Sequence, residues 1–265
     1  MSANKDLGWT FDTVASTYEK LRPGYVDELY KMIFDYIALS ESSNAVEVGI
    51  GGGQATLPFL KTGCRLTAVE YGVKFSELCK EKFRDYPNFS VVTNKFENQS
   101  FPDDMYDLVY SASAFHWVPE EIGYTKVYSM LKRGGVFARF ANHPYRDNSN
   151  SLLSEEIDRI YAKYYYQYYN KRQETPTEFS EDQAAQRAGI AEKYGFIDIK
   201  YALFHRTRFL SANEYHALLG TYSDHIAIEE SIRKEFFSRI EDAINDFGGS
   251  ITIYDTIDLQ LARKP

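Results

Sequence analysis

The chain has 265 residues, a formal net charge of −8 and 22 tyrosines. A chain of this length buries a core without disulfide or metal staples, and its acidity counts against a phosphate-rich partner unless the bases gather in one patch. The longest basic runs, Leu131-Lys132-Arg133 and Asn170-Lys171-Arg172, are too short for a nucleic-acid footprint.

Met1-Ser2-Ala3-Asn4-Lys5-Asp6 opens the chain with no apolar run behind it, which predicts no signal peptide. No stretch approaches the ~18 apolar residues of a membrane span, so a cytoplasmic protein without a membrane partner is expected. Residues 25–38 read as an amphipathic helix, with Leu29, Ile33 and Ile37 at helical spacing. Short apolar runs then alternate with helical patterns. The runs at 45–48, 65–70, 89–93, 106–111 and 135–140 read as strands, and 53–62, 73–85 and 119–131 as the helices between them. That alternation predicts an α/β fold with a parallel sheet covered on both faces. Cys64 and Cys79 match no zinc or redox spacing; they read as reduced, buried thiols, and no metal site is predicted.

After residue 145 the rhythm changes. Residues 151–172 read as one helix with six tyrosines between Tyr161 and Tyr169. A helix from about Ser180 to Tyr194 follows, stopped by Gly195. Residues 198–209 and 251–262 alternate like strands, with helices at 211–219 and 228–246 between them. One domain can hold the whole chain, with 142–195 as a helical cap inserted after the fifth strand.

The sharpest local feature is Val46-Glu47-Val48-Gly49-Ile50-Gly51-Gly52-Gly53-Gln54, a strand that runs into a glycine-rich turn and opens a helix. In open α/β sheets ligands sit at the carboxyl ends of the strands, where strand order reverses. A dinucleotide site would space its glycines G-x-G-x-x-G; here the third glycine comes one residue early. Glu47 would oppose a pyrophosphate but suits an ammonium group. Glu70, ending the next strand, is placed to accept hydrogen bonds from ribose hydroxyls. A ligand that joins adenosine to an amino acid without phosphates meets both demands, and that ligand is S-adenosylmethionine.

With these residues in place, the chain resembles the class I S-adenosylmethionine-dependent methyltransferases, more narrowly the small-molecule, trans-aconitate methyltransferase-like (type 11) branch. The resemblance covers nearly the whole chain: Phe11-Asp12-Thr13-Val14-Ala15-Ser16-Thr17-Tyr18 with Arg22-Pro23-Gly24-Tyr25, the 47–53 loop, Glu70, Phe96-Glu97, Ser111–Val118 and Leu131–Gly135. It implies a Rossmann-like doubly wound sheet of seven strands in the order 3-2-1-4-5-7-6, the last antiparallel; the seven candidate strands agree in number. It also implies that Glu47, Gly49, Gly51, Gly53 and Gln54 hold the methionine end of the cofactor. Glu70 and Tyr71 would hold the ribose, Phe96 and Glu97 the adenine, and Ser111 the strand-end side of the site. Tyr18 and Arg22 would fold over the cofactor, with Arg22 a partner for its carboxylate. Where many relatives place an Asp before the position of Phe96, this chain has Lys95, which shifts adenine recognition toward backbone groups.

Methyl transfer from a sulfonium is an in-line displacement that asks the protein for alignment and desolvation. A hydroxyl or protonated amine acceptor also needs a base in reach. His116 is the candidate base, with a structural histidine as the alternative. Trp117 and Tyr222 are candidate pocket residues, each with a packing alternative. Asn142-His143-Pro144-Tyr145 is reminiscent of an amino-methyltransferase motif, but it follows the fifth strand and has His second; it reads as a strand-ending turn. The expected partner is a small-molecule acceptor, and the expected assembly a monomer or homodimer. A non-catalytic S-adenosylmethionine-binding module, or methylation of tRNA or protein, is the competing reading.

Overall fold

The structure is a computed structural model that describes Tyr18 and residues 20–265; Met1–Asp6 and the Phe11–Thr17 part of the opening motif lie outside the described residues. Seven strands form, β1 (Asn44–Val48), β2 (Arg65–Glu70), β3 (Phe89–Thr93), β4 (Tyr106–Ala112), β5 (Leu131–Arg146), β6 (Ile197–Ser211) and β7 (Ser250–Arg263). They make one sheet in the order β3-β2-β1-β4-β5-β7-β6, as expected. The β1–β2, β1–β4, β2–β3 and β4–β5 pairs are parallel. β7 runs antiparallel to β5: Gly134 N donates to Lys264 O at one end of the ladder and Asp147 N to Thr252 O at the other.

Alternation along β1 sends Ala45 to one face of the sheet and Val46 and Val48 to the other. On the first face Ala45, Leu66, Leu108 and Tyr110 pack with Leu29 and Ile33 of α1 (Asp27–Tyr36) and Phe59 of α2 (Thr56–Leu60). On the second, Val46, Val48 and Val109 pack with Val127 and Met130 of α4 (Glu120–Met130). The helix α3 (Val73–Lys82) follows β2 and buries Phe75 and Cys79. Each fully buried Leu, Ile or Phe here contributes roughly 1.5–3 kcal/mol.

The chain divides into two compact units. One gathers Pro23–Asn142, Phe179–Phe204 and Thr256–Pro265. The other gathers Tyr18, residues 20–22, His143–Glu178 and His205–Asp255. The second unit has its own core. In it Leu153, Ile157 and Ile160 of α5 (Ser151–Tyr161) pack with Leu218 of α7 (Ala212–Leu219) and Phe236, Ile240 and Ile244 of α9 (Glu230–Asp246). Two further helices are α6 (Glu181–Gly189), in the first unit, and the short α8 (Ser223–Ile226), in the second. Ser180 and Ser211 close capping boxes ahead of α6 and α7, and Gly195, at φ 86°, ends the turn after α6 as its left-handed conformation allows.

Two expectations are corrected. Asn142-His143-Pro144-Tyr145 is no turn: all four lie inside β5, which runs on to Arg146 because β7 extends its ladder to Asp147. Pairing with a neighbouring strand overrides the local turn chemistry. The 151–172 helix is not uniform either. After α5 the chain makes a π turn over Ala162–Tyr166 before a last α segment, Gln167–Tyr169, that ends at Asn170 with φ 48°. Single π turns are frequent at functional sites because they re-aim side chains on one helix. Both cysteines are buried and unpaired by disulfide, and among the described residues no helix is long and apolar enough to cross a membrane.

Candidate cofactor site and a tyrosine-lined cavity

Glu47 is the penultimate residue of β1 and is fully buried. Its register partner on β4 is Tyr110, so the two side chains leave the sheet on the same face. The Tyr110 hydroxyl and the Thr56 hydroxyl each donate a 2.8 Å bond to Glu47 Oε2. Oε1 is buried and receives no bond. Burial pushes the Glu47 carboxyl up to about 8, against the opposing pull of the Tyr110 and Thr56 bonds. A buried carboxylate with an unmet lone pair is costly to a protein unless something cationic meets it.

The loop after β1 alternates left-handed glycines: Gly49 at φ 75°, Gly51 at 53° and Gly53 at 72°. At Gly49 a Cβ would stand 2.3 Å from the Ala114 Cβ, so glycine is required there by space as well as by angle. Gly53 has the same constraint, with Phe83 at 2.7 Å from a built Cβ. Glu70, at the end of β2, splints the loop: Gly51 N donates to its Oε2 at 2.9 Å and Gly72 N to its Oε1 at 2.8 Å. The carboxylate is thereby oriented by two backbone donors. Gln54 follows the last glycine, partly buried.

The other cofactor candidates divide. Ser111 is fully buried and gives its hydroxyl to Val48 O at 2.8 Å, tying β4 to the end of β1. Tyr71 is about half exposed, and the Lys95 ammonium lies 4.8 Å over its ring. Phe96 is buried in the second-face core, and Lys126 Nζ donates to the carbonyls of Phe96 and Glu97 at 2.7 and 2.9 Å. The Phe96 ring is therefore a packing element, and Lys126 already occupies the carbonyls of Phe96 and Glu97. His116 and Trp117 lie together on a 3-10 turn after β4, ring centroids 5.0 Å apart, and both are exposed.

Tyr18, Arg22 and Tyr222 cluster in the second unit. Arg22 Nε donates to Thr221 Oγ1 and Nη2 to Thr221 O, each at 3.0 Å, and the guanidinium lies 4.1 Å over the Tyr222 ring and 5.1 Å over Tyr18. Tyr222 also lines a cavity of about 260 Å³ in that unit, with Arg146, Tyr161, Tyr165, Tyr215 and His225. There the Tyr161 hydroxyl meets His225 Nε2 at 3.1 Å, and His225 Nδ1 meets Asp224 Oδ1 at 2.9 Å. Tyr165 donates to Asp224 Oδ2 at 2.6 Å. Burial works against the Asp224 charge, but the His225 and Tyr165 bonds outweigh it and hold its carboxyl well below the usual range.

Sequence reasoning had not found Thr56, Tyr110, Arg146, Asp224 or His225. For the last two, the adjacency of an acid and a histidine was the available signal. Thr56 and Tyr110 carry no motif; only register joins them to Glu47.

Residues 46–139 match the methyltransferase domain family. The chain is similar to that family over this stretch. It is 27% identical over 227 residues to an uncharacterized methyltransferase of Schizosaccharomyces pombe, covering 84% of this chain and 83% of that one. Among solved structures it is similar to a putative type II methyltransferase from Anaeromyxobacter dehalogenans, at a TM-score of 0.58 and 18% identity, covering 91% and 97%. It is also similar to phosphoethanolamine N-methyltransferase 2 of Haemonchus contortus in complex with S-adenosyl-L-methionine, at a TM-score of 0.57 and 15% identity; 96% of this chain is covered, but it spans only 57% of the nematode chain.

Proposed function

We propose that this methyltransferase uses S-adenosylmethionine and moves its methyl group to a small organic acceptor. The observation that carries the reading is Glu47: a wholly buried carboxylate at the end of β1, beside a loop of three left-handed glycines, with Oε1 unmet. An ammonium satisfies that atom, whereas a pyrophosphate would be repelled by it. Glu70, oriented by Gly51 and Gly72, is the candidate acceptor for vicinal hydroxyls. S-adenosylmethionine, which the Haemonchus contortus structure holds, carries both features and supplies a methyl already activated on a sulfonium. Glu47, Gly49, Gly51 and Glu70 would bind and orient it.

The chain's own contribution to the step is alignment and exclusion of water. His116, exposed after β4, can take a proton where the acceptor has one to lose. Acceptor choice is assigned to segments outside 46–139, the helices between β5 and β6 among them. The net charge of −8 and the short basic runs support a small acceptor over a nucleic acid.

The test is thermal. S-adenosylmethionine and S-adenosylhomocysteine should raise Tm, since a ligand of the folded state stabilises it by mass action, and NAD and NADP should not. A shift with NAD alone sinks the reading. A radiolabelled methyl-transfer screen across metabolite, tRNA, DNA and protein fractions then tests the acceptor; label mainly in a macromolecule defeats the small-molecule part.

A further inference from the structure

We propose that the tyrosine-lined cavity of the second unit binds a small aromatic or apolar molecule bearing a single carboxylate, seated on Arg146. Among the described residues that line it, Arg146 carries a buried donor with no hydrogen-bond partner. Arg146 lines the cavity and is only 9% exposed. Its Nη2 donates to Asp158 Oδ1, whereas its Nη1 is buried and has no partner. An unmet N–H on a buried cation is among the more expensive defects a fold can keep. A carboxylate oxygen on Nη1 removes the defect through a charge-assisted bond, the geometry guanidinium groups favour.

The rest of the cavity sets the class of molecule. Its walls are mainly tyrosine rings, which offer flat apolar surface with polar edges. Tyr161, Tyr165 and Asp224 are already engaged with one another through His225 and the Tyr165 hydroxyl. The Asp158 charge is met by Arg146. Outside these pairs an ammonium finds only the Glu174 carboxylate on the lining, and it does nothing for the unmet Arg146 Nη1. The cavity of about 260 Å³ also lies below the usual size of drug-binding sites, so one ring with a short side chain is the natural fill.

Charge limits the anion to one. Asp158, Glu174 and Asp224 all line the same cavity, and like charges a few ångströms apart in a partly dry site repel by several kcal/mol. Arg146 shares its charge with Asp158 and offers an anion one further donor, Nη1; a second carboxylate or a phosphate dianion would meet that repulsion with no other Arg or Lys among the described lining residues to offset it. The π turn at Ala162–Tyr166 fits the same picture, because it carries two of the wall residues, Tyr165 and Tyr166, and follows a third, Tyr161. The proposal concerns binding and stands whether or not the ligand accepts a methyl group.

The test is isothermal titration of the full chain with phenylacetate, phenyl phosphate, benzylamine and benzyl alcohol, in parallel with S-adenosylhomocysteine. Phenylacetate should bind saturably at one site, at least tenfold tighter than the other three ring compounds. R146K keeps a nitrogen for Asp158 and lacks the second; it should weaken phenylacetate at least tenfold and leave S-adenosylhomocysteine within twofold. No saturable phenylacetate binding, equal binding to R146K, or a preference for the amine or the phosphate overturns the proposal. If R146K does not fold, the wild-type ranking decides, and any order not led by the acid counts against it. Because S-adenosylhomocysteine is titrated alongside, failure of this site and failure of the cofactor reading are separately visible.

Discussion

Glu47 and Tyr110 are register partners on neighbouring parallel strands, and a 2.8 Å hydrogen bond joins the Tyr110 hydroxyl to Glu47 Oε2. Tyr110 is itself stacked on Phe59 at 3.9 Å between centroids. The carboxylate is thus fixed by a residue that has no freedom to move aside.

The first prediction concerns pH. Burial raises the Glu47 carboxyl from its ordinary 4.5 to about 8. Between those values the folded state keeps a proton that the unfolded state has released, so stability from this group falls as pH rises through the window. E47Q should therefore be more stable than wild type at pH 8.5, on the order of a few kcal/mol, with the gap closing toward pH 4.5. Urea unfolding without ligand at several pH values measures it; a gap independent of pH would show that Glu47 is not held protonated.

A linked prediction concerns the cofactor. An ammonium needs the ionised carboxylate, so below about pH 8 binding must first remove a proton. Affinity for S-adenosylhomocysteine should rise with pH up to about 8 and then level off, and E47Q should lose both the slope and at least tenfold in affinity. Calorimetry in buffers of different ionisation enthalpy would expose the released proton; its absence would count against Glu47 as the ammonium partner.

Gly49→Ala should be severe. The new Cβ would stand 2.3 Å from Ala114 Cβ, at a backbone φ of 75°. Strain of this kind costs about 1–3 kcal/mol for the angle alone, and the contact adds to it. A Tm within a degree of wild type would mean that the loop relaxes freely.

In the second unit, Asp255 is 1% exposed and accepts from both Arg206 and Arg208, at 2.9 and 2.7 Å for the shortest bonds. Asp255→Ala leaves two guanidinium groups facing each other with nothing between them. Breaking a buried ion pair from one side costs about 3–5 kcal/mol, read as a lower urea midpoint. D255N, which keeps the acceptor but not the charge, should lose less.

Strand and helix positions were legible because their signals are local. Val46-x-Val48-Gly49 announces a strand entering a turn without reference to anything distant, and Gly195 announces its helix stop the same way. The loop glycines and Glu70 were legible for the same reason, although the Glu70 bonds to Gly51 N and Gly72 N were not, since they depend on backbone angles. What failed to appear depends on register or on pairing late in the chain. Tyr110 lies 63 residues from Glu47 and becomes its partner only through the β1–β4 alignment. Pro144 looked like punctuation because β7, which carries β5 past it, lies more than a hundred residues downstream. Arg146 was hidden with it, as the last residue of a strand expected to end earlier.

The place of β7 has a bearing on how the chain folds as it leaves the ribosome. β7 lies between β5 and β6 in the sheet, although it is made after both. Until residues 250–263 emerge, β5 has a bare edge, and β6 has no strand to pair with. Contacts of such long sequence separation form slowly, and unpaired edges invite the wrong neighbour. Between the emergence of β6 and that of β7 the nascent chain therefore waits with two sticky borders and a gap, and chaperone dependence should be concentrated in that interval.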